Sequence, residues 1–425
     1  MWDRLLRNAR VVDPVNGRDG VMDVAVKDGR IAAVGPILQG EASEVEDLTG
    51  LVVMPGLINL HTHAAMNLLR GRGADLPLMD WLTKEIWPAE GRLMSAEFVH
   101  DGSLIAGVEM IRSGVTCCSD LYFFPEAAAE GLREAGLRCA TAGIVIGFPS
   151  AWAANDDEYI SKCEALIERY SGDPFVRVTV GPHAPYTVSD ASLARCAALS
   201  ERHDLPVHIH VNETAGEVET SLKDHGERPV ARLARLGLLN ERLISVHSVH
   251  TSNEDIRMLA EARASVCHCP SSNLKLASGF APVAKMMKAG INLGIGTDGA
   301  ASNDKLDMLG ETRLAAMLAK AVAGATTCAK VFDMLEAATL GGARALHWDD
   351  EIGSLEIGKC ADMIAVDLSG IECGPVTDPA AQLLYSAGRE HVTHVWVAGR
   401  LAAGEGTEPR DDTARTLLEK WAPLI

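Results

Sequence analysis

Several features that mark other classes of protein are missing from this sequence. Its Lys and Arg residues form no basic run, and 39 of them stand against 58 Asp and Glu, for a formal net charge of −19. Phosphate recognition requires clustered Lys and Arg, so the composition argues against a polynucleotide or an anionic membrane as partner. No segment approaches the ~20 apolar residues of a spanning helix, and the first residues lack the apolar stretch of a signal peptide.

Cysteines at the spacing of metal or redox motifs are also missing. The chain has ten cysteines but no pair separated by two residues. Without a secretion signal, such cysteines are expected to be reduced thiols in the core. Cys117-Cys118 and Cys267-His268-Cys269 are therefore interpreted as buried small hydrophobic residues rather than zinc ligands. These absences predict a soluble, cytoplasmic, globular protein.

Apolar residues, by contrast, are abundant at 47%, which is enough for a large core. The start of the chain has the pattern of short strands, with a hairpin turn at Asp28-Gly29. Strand and helix patterns then alternate about eight times before a β pattern returns, which predicts an α/β fold: a (β/α)8 TIM barrel with a small discontinuous β-sandwich domain built from both termini. The predicted boundaries are 1–55 and 352–410 for the composite β-sandwich domain, 56–351 for the barrel and 411–425 for a C-terminal surface helix.

The motif His61-Thr62-His63 follows the apolar run Leu57–Leu60. Side chains alternate between the faces of a strand, so both imidazoles project from one side, about 7 Å apart along it. Neutral imidazole is a good ligand for zinc and for neighbouring first-row metals. A His-x-His pair alone is a weak signal, and its meaning depends on further ligands elsewhere in the chain.

Polar residues recur where other barrel strands are expected to end. They are His183, His210 with Glu213 three residues later, His247 and Asp298. A single histidine at such a place often has only a structural role, as a capped or hydrogen-bonded residue. However, the chemistry of a parallel barrel sits at the carboxyl ends of its strands, so all of these side chains should meet at one rim.

A metal site can be assembled from this set. His61, His63, His210 and Asp298 supply ligands of the type that a catalytic zinc site uses. Such an ion lowers the pKa of bound water from ~15.7 toward ~7. Glu213 lies close in sequence to a ligand and can carry a proton between water and substrate.

These motifs resemble the amidohydrolase superfamily over nearly the whole chain. Longer stretches are similar to the 5′-methylthioadenosine/S-adenosylhomocysteine deaminases within it. The stretches are His61–Leu69 with Arg70-Gly71, Trp87–Arg92, Gly181–Tyr186, Ser272–Leu276 and Gly296–Asn303.

The resemblance implies a role for each residue of the site. His61, His63 and His210 would bind the metal, and Asp298 would both ligate it and take the proton of the attacking water. Glu213 would protonate N1 of the adenine ring, and His247 would orient the hydroxide. Substrate contacts on the ribose side would come from Glu90 and His183, although Glu90 without the resemblance would be interpreted as a solvated helix residue.

The resemblance also bears on the cofactor and the assembly. Members with two metals carry a bridging, carbamylated lysine at the end of the fourth barrel strand, and Val178–Pro182 offers none. One divalent ion is therefore expected, with Zn²⁺ preferred and Fe²⁺ or Mn²⁺ as alternatives. A homo-oligomer is common in the family and is expected here.

The expected reaction is hydrolytic deamination of an adenine nucleoside. Some relatives place an arginine where this chain has Ala142, so a clamp for the carboxylate of S-adenosylhomocysteine is in doubt. Methylthioadenosine and adenosine are therefore expected to be better substrates than S-adenosylhomocysteine. The alternatives are an aminohydrolase or chlorohydrolase of a free heterocycle (a triazine, guanine or a pterin) and a non-catalytic barrel that binds a partner.

An apolar wall for the substrate could come from Trp81, Trp87, Tyr122, Phe123 and Phe124.

Overall fold

The computed structural model describes residues 1–404, 407 and 410–425. Its strands are β1 (Trp2–Asp13), β2 (Arg18–Lys27), β3 (Arg30–Gly35), β4 (Ala42–Asp47), β5 (Leu51–Pro55), β6 (Leu57–Thr62), β7 (Val115–Asp120), β8 (Arg138–Val145), β9 (Val176–Pro182), β10 (Val207–Val211), β11 (Leu243–His247), β12 (Ser265–His268), β13 (Asn292–Ile295), β14 (Met363–Asp367), β15 (Val392–Val397) and β16 (Arg400–Ala403).

The helices lie mainly between the barrel strands, with short 3₁₀ turns at Ala64–Leu69 and Arg389–His391 and a π-helical turn at Leu82–Ile86. The α-helices are α1 (Leu78–Trp81), α2 (Trp87–Leu93), α3 (Ala96–Arg112), α4 (Pro125–Ala135), α5 (Asp156–Arg169), α6 (Asp190–His203), α7 (Ala215–His225), α8 (Pro229–Arg235), α9 (Asn253–Glu261), α10 (Pro270–Lys275), α11 (Val283–Lys288), α12 (Ala300–Asn303), α13 (Met308–Ala323), α14 (Val331–Ala337), α15 (Leu340–Ala345), α16 (Pro379–Tyr385) and α17 (Arg410–Trp421).

Strands β6 to β13 form a parallel sheet in sequence order. Their residues are almost all buried, as expected for strands covered by helices on one face and by a packed interior on the other. The first and last strands meet where the backbone N–H of Asp298 donates to the carbonyl oxygen of His61 at 2.9 Å. Asn59 reinforces the closure, because its side chain both donates to the hydroxyl of Thr297 (2.8 Å) and accepts from the Thr297 backbone N–H (3.0 Å).

A second, mixed sheet is built from both ends of the chain, in the order β16-β15-β14-β5-β1-β2-β3, with β4 paired to β1. Its centre is the antiparallel pairing of β5 with β14, in which Met54 faces Ile364. This mixed sheet and the parallel barrel confirm the predicted fold class. The residues 405–406 and 408–409 of the predicted β-domain lie outside the described residues, and its exact boundaries stay a prediction.

The predicted C-terminal helix corresponds to α17, which packs against α3. The ring of Trp421 lies edge-on to that of Phe98, with centroids 5.2 Å apart, and its indole N–H donates to Asp101 at 2.9 Å. Among the helices of the described residues, none has both the length and the apolar character needed to cross a membrane.

Candidate active site

The carboxyl ends of the barrel strands bring the predicted polar residues to one rim. His61 lies on β6 and His63 directly after it, and His210 lies on β10 with Glu213 two residues beyond its end. His247 is the last residue of β11, and Asp298 follows β13. His247 and Asp298 have left-handed backbone angles (φ of 70° and 64°), as does Asn212 (56°). Left-handed residues at the ends of three strands of one barrel (β10, β11 and β13) are typical of functional sites, where the chain must turn sharply to aim a side chain.

Four ligand atoms converge at the centre of this rim. The Nε2 atoms of His61 and His63 each lie 3.3 Å from Oδ1 of Asp298, and the Nε2 atom of His210 lies 3.3 Å from that of His61. Metal–nitrogen bonds of ~2.0–2.1 Å in a tetrahedral site place neighbouring ligand atoms about 3.3 Å apart. The spacing of these four side chains therefore matches a zinc-sized cation.

The hydrogen bonds behind the imidazoles support the same interpretation. The Nδ1 atom of His63 lies 2.5 Å from the carbonyl oxygen of Leu121, and that of His210 lies 2.7 Å from the carbonyl oxygen of His183. A carbonyl only accepts, so Nδ1 carries the proton in both rings and Nε2 presents a lone pair. Lone pairs that converge on one point offer a binding site for a cation, and outer hydrogen bonds of this kind are usual for histidine ligands.

His61 is held from behind by a fourth imidazole, that of His208. Its Nδ1 atom lies 2.8 Å from Nε2 of His208, whose own Nδ1 lies 3.0 Å from the hydroxyl of Ser119. All of these groups are buried. Burial, together with the neighbouring imidazoles, lowers the pKa of His61 to about 4 despite Asp298, and it lowers the pKa of His210 well below its usual value. Neutral imidazole is the form that binds a metal.

Asp298 is fixed by groups on both of its oxygens. Oδ2 accepts from the hydroxyl of Ser272 at 2.7 Å, and Oδ1 accepts from the backbone N–H of Gly299 at 2.7 Å. Burial opposes its ionisation, but the contacts with His61 and the other surrounding imidazoles outweigh burial and hold the pKa of Asp298 well below its ordinary value. The carboxylate is thus available as a ligand and as a proton acceptor.

Glu213 and His247 face the same point. The Nε2 atom of His247 lies 3.9 Å from Oε2 of Glu213 and 4.0 Å from Oδ2 of Asp298, while its Nδ1 lies 2.8 Å from Oδ1 of Asn273. Burial raises the pKa of Glu213; His247 opposes this effect, and the charge of Asp298 adds to it. A carboxyl with a raised pKa binds a proton more readily, as a general acid must.

The site opens into a cleft that is lined by polar and apolar side chains. Glu90 lines it, and its carboxylate accepts from the hydroxyl of Tyr122 at 2.6 Å. Burial raises the pKa of Glu90 to about 7. His183 also lines the cleft, with Nδ1 2.9 Å from the hydroxyl of Thr187, and burial lowers its pKa to about 3.

The rest of the cleft is mainly apolar. The segment from Leu78 to Glu90 covers one side, and the residues after β7 and β8 cover another. Of the five predicted aromatic residues, four line the cleft, whereas Phe124 precedes α4 and packs against the core. The apolar lining comprises Met66, Leu78, Trp81, Leu82, Ile86, Trp87, Leu121, Tyr122, Phe123, Ile144, Ile146 and Leu276.

The structure therefore gathers the predicted metal, catalytic and polar substrate-binding residues at one end of the barrel, whereas Phe124 of the predicted aromatic wall lies outside the cleft. Four supporting residues were given no role from the sequence: His208, Ser272, Asn273 and Glu217. His208 offers no local signal, because its contact with His61 crosses the barrel. Glu217 has one, since Thr214-x-x-Glu217 is the pattern of a helix capping box and indicates α7, a helix absent from the predicted alternation.

Together the barrel and this cluster of ligands define a metal-dependent hydrolase. The sequence model of the amidohydrolase family matches residues 52–402, which is most of the chain, and the chain belongs to that family.

Named relatives narrow the position within the family. A 5-methylthioadenosine/S-adenosylhomocysteine deaminase of Teredinibacter turnerae is 47% identical over 352 residues, which are 83% of this chain and 80% of that protein. One from Desulforudis audaxviator is 43% identical, over 98% of this chain and 99% of its own. The crystal structure of an adenosine deaminase from Xanthomonas campestris with bound zinc has a TM-score of 0.97 and 43% identity, and the match covers 100% of this chain and 98% of that one.

These matches confirm the predicted family and the predicted enzyme class, a hydrolytic deaminase. The zinc of the Xanthomonas campestris protein and the ligand cluster described above confirm the expected divalent metal cofactor. The role of each individual residue stays a prediction.

Proposed function

We propose that this enzyme hydrolyses the C6 amino group of an adenine nucleoside, which gives the inosine-type product and ammonia, and that 5′-methylthioadenosine and adenosine are preferred to S-adenosylhomocysteine. The observation that carries the proposal is the convergence of His61, His63, His210 and Asp298 beside the buried carboxyl of Glu213 in a single cleft. Relatives named for this activity, at 47% and 43% identity, support the choice of reaction.

The roles follow from the positions of the side chains. The three imidazoles and Asp298 would hold the divalent ion, which when bound would lower the pKa of water so that it is nucleophilic at neutral pH. Asp298 accepts a proton from the water that attacks C6, and Glu213 donates its proton to N1, so the ring gains a tetrahedral carbon. His247 hydrogen-bonds the incoming oxygen. The proton held by Asp298 then leaves with the amino group as ammonia. The hydroxyl proton on C6 passes to the Glu213 carboxylate as the C–O bond becomes a carbonyl, and N1 keeps its hydrogen.

The remaining polar groups of the cleft suit a ribose. Glu90 can accept hydrogen bonds from sugar hydroxyls, and the Nε2 atom of His183 can accept one while Nδ1 is engaged by Thr187. Hydroxyl recognition by buried polar groups discriminates strongly, because a substrate without the hydroxyl leaves those groups unpaired. The site should therefore reject a free heterocycle.

The apolar wall supports a nucleoside with a small uncharged 5′ group. Among the described residues that line the cleft there is no Lys or Arg, and Ala142 is buried within β8. A thioether methyl can pack against Trp81, Ile86 and Trp87, whereas the carboxylate of a homocysteine group would enter without a cation to pair with.

The decisive experiment measures ammonia release from the zinc-loaded protein with methylthioadenosine, adenosine, S-adenosylhomocysteine, guanine, a pterin and an aminotriazine. We expect the highest kcat/KM for methylthioadenosine or adenosine and a lower value for S-adenosylhomocysteine. A free heterocycle as the best substrate would replace the proposal with the alternative reaction. No turnover of any compound by the metal-loaded chain would favour a binding role.

We further propose that the enzyme is cytoplasmic and forms a homo-oligomer. All ten cysteines are unpaired, and nine of them are buried, which suits a reducing compartment. Light scattering of the purified protein tests the assembly, because a monomer at micromolar concentration would contradict it.

A further inference from the structure

Glu217 is a buried carboxyl that lies behind the active site rather than in it. It is 6% exposed and is not among the residues that line the cleft. Its Oε1 atom accepts from the backbone N–H of Asn212 at 2.9 Å, and its Oε2 atom accepts from the backbone N–H of Glu213 at 2.8 Å. The carboxylate thus binds two consecutive peptide groups at the end of β10.

This arrangement differs from an ordinary capping box. Glu217 is the third residue of α7, and its own N–H donates to the hydroxyl of the N-cap residue Thr214 at 3.2 Å. In the usual motif the acidic side chain reaches the N–H of the N-cap residue. Here the Glu217 side chain binds the N–H groups of the two residues that precede the N-cap residue Thr214. One of them is Asn212, which has a left-handed φ of 56°. An asparagine in this conformation requires support from its surroundings.

We propose that Glu217 is a positioning residue for Glu213: its two oxygens hold the Asn212–Glu213 backbone in the turn that aims the Glu213 carboxyl at the substrate. The inference rests on the proposed function, in which Glu213 donates a proton to the ring. The transfer requires donor and acceptor to lie within hydrogen-bond reach, so a small change in this backbone lowers turnover strongly.

The two hydrogen bonds from the Asn212 and Glu213 N–H groups, called here the Glu217 clamp, explain why a carboxylate is needed. Two donors at consecutive positions require two acceptor oxygens. Glutamine keeps one oxygen but places an N–H₂ group against the other backbone N–H, so one hydrogen bond becomes a donor–donor contact. Glu217→Gln therefore changes the side-chain volume little but removes one of the two hydrogen bonds of the Glu217 clamp.

The first test compares Glu217→Gln with Glu219→Gln, which alters an exposed glutamate of the same helix. We expect Glu217→Gln to lower kcat about 10- to 100-fold, with KM and zinc content per chain nearly unchanged. Glu219→Gln should behave like the unmodified enzyme. A Glu217→Gln protein with unchanged kcat, or one that loses zinc or stability in proportion to its activity, would overturn the proposal.

The second test is a double-mutant cycle with Glu213→Gln. If Glu217 acts through Glu213, Glu217→Gln should lower kcat much less in the Glu213→Gln background than in the unmodified enzyme. An equal loss in both backgrounds would mean a general structural role and would refute the inference. Should Glu213→Gln show no measurable turnover, the separate effects of Glu217→Gln on kcat and KM decide. Failure of the proposed function is distinguishable, because the unmodified enzyme itself would then release no ammonia from nucleosides.

Discussion

At the scale of single residues, the site depends on imidazoles whose orientation is set from behind. Two of the three histidine ligands are held by backbone carbonyls, which no substitution can remove. His61 differs, because its Nδ1 atom is held by the side chain of His208. A substitution at His208, which does not contact the ion, should therefore change the metal affinity of the site.

His208→Phe tests this dependence. The change keeps a buried ring of similar size but removes the acceptor for His61, so we expect zinc affinity to fall about 10- to 100-fold. His208→Gln, which keeps an acceptor oxygen, should lose less. The measurement is zinc transfer to a competing chelator, with His203→Gln at an exposed position as the control. Equal zinc affinity in His208→Phe and the unmodified protein would remove His208 from the metal site.

In the proposed mechanism, Glu213 is the residue on which the chemistry depends most directly. Glu213→Gln is nearly isosteric and cannot donate the same proton, so we expect kcat to fall about 10²- to 10⁴-fold. The zinc content should not change, because the metal is held by other side chains. Ammonia release and elemental analysis of the same sample measure both effects. Turnover near that of the unmodified enzyme would exclude Glu213 as the proton donor.

At the scale of elements, the site depends on how closely β13 approaches β6. A methyl group added at Gly296 would lie 2.9 Å from both the backbone nitrogen and Cβ of His61. No rotamer change of His61 relieves such a contact, since both atoms belong to or adjoin the backbone. Glycine at this position lets the strand that carries Asp298 meet the strand that carries His61.

We therefore expect Gly296→Ala to damage both stability and metal binding. Overpacking of this kind costs about 1–3 kcal/mol of unfolding free energy, and the separation of His61 from Asp298 should reduce zinc content. Urea unfolding and elemental analysis measure the two effects. Gly20→Ala is the matched control, because its methyl would meet only the flexible end of Met22 at 3.5 Å. Full zinc content in Gly296→Ala would show that the barrel can open here without loss of the site.

The elements also show what could be predicted from the sequence. The convergence of the four proposed ligands could be predicted because the strand-end rule depends only on chain order and apolar runs. Glu90 required the family resemblance, since a glutamate on a short helix is usually solvated. Strand β4 was missed because Ala42–Asp47 is polar and lies largely exposed, so it carries no alternating apolar pattern. Contacts such as that between His61 and His208 depend on barrel closure, which local patterns do not encode.

At the scale of the whole molecule, a buried ion pair joins the barrel to the mixed sheet. Arg138 is the first residue of β8, and its Nε lies 2.7 Å from Oδ2 of Asp362; both side chains are only 2% exposed. Oδ1 of Asp362 also accepts from the backbone N–H of Ala398 at 2.6 Å. The guanidinium lies 4.6 Å from the ring centre of Phe175, so its charge is enclosed by polar and aromatic groups.

This ion pair lies at the amino ends of the barrel strands, opposite the active site. Its removal should therefore affect stability without altering the chemistry. Arg138→Met leaves the buried carboxylate of Asp362 without its partner, and we expect a loss of about 3–5 kcal/mol of unfolding free energy. The double variant Arg138→Met/Asp362→Leu should recover part of that loss, because no unpaired charge remains. Arg257→Met, which breaks two exposed ion pairs (with Glu254 and Glu261), should change stability by about 1 kcal/mol or less.

Unfolding in urea and kcat per bound zinc, measured on the same preparations, separate the two effects. Lower stability with unchanged kcat per zinc is expected if the mixed sheet serves only to support the barrel. A fall in kcat per zinc in folded Arg138→Met would contradict this view. It would mean that a shift of the mixed sheet moves the barrel strands and, with them, the metal ligands. The mixed sheet would then help to position the active site as well as stabilise the fold.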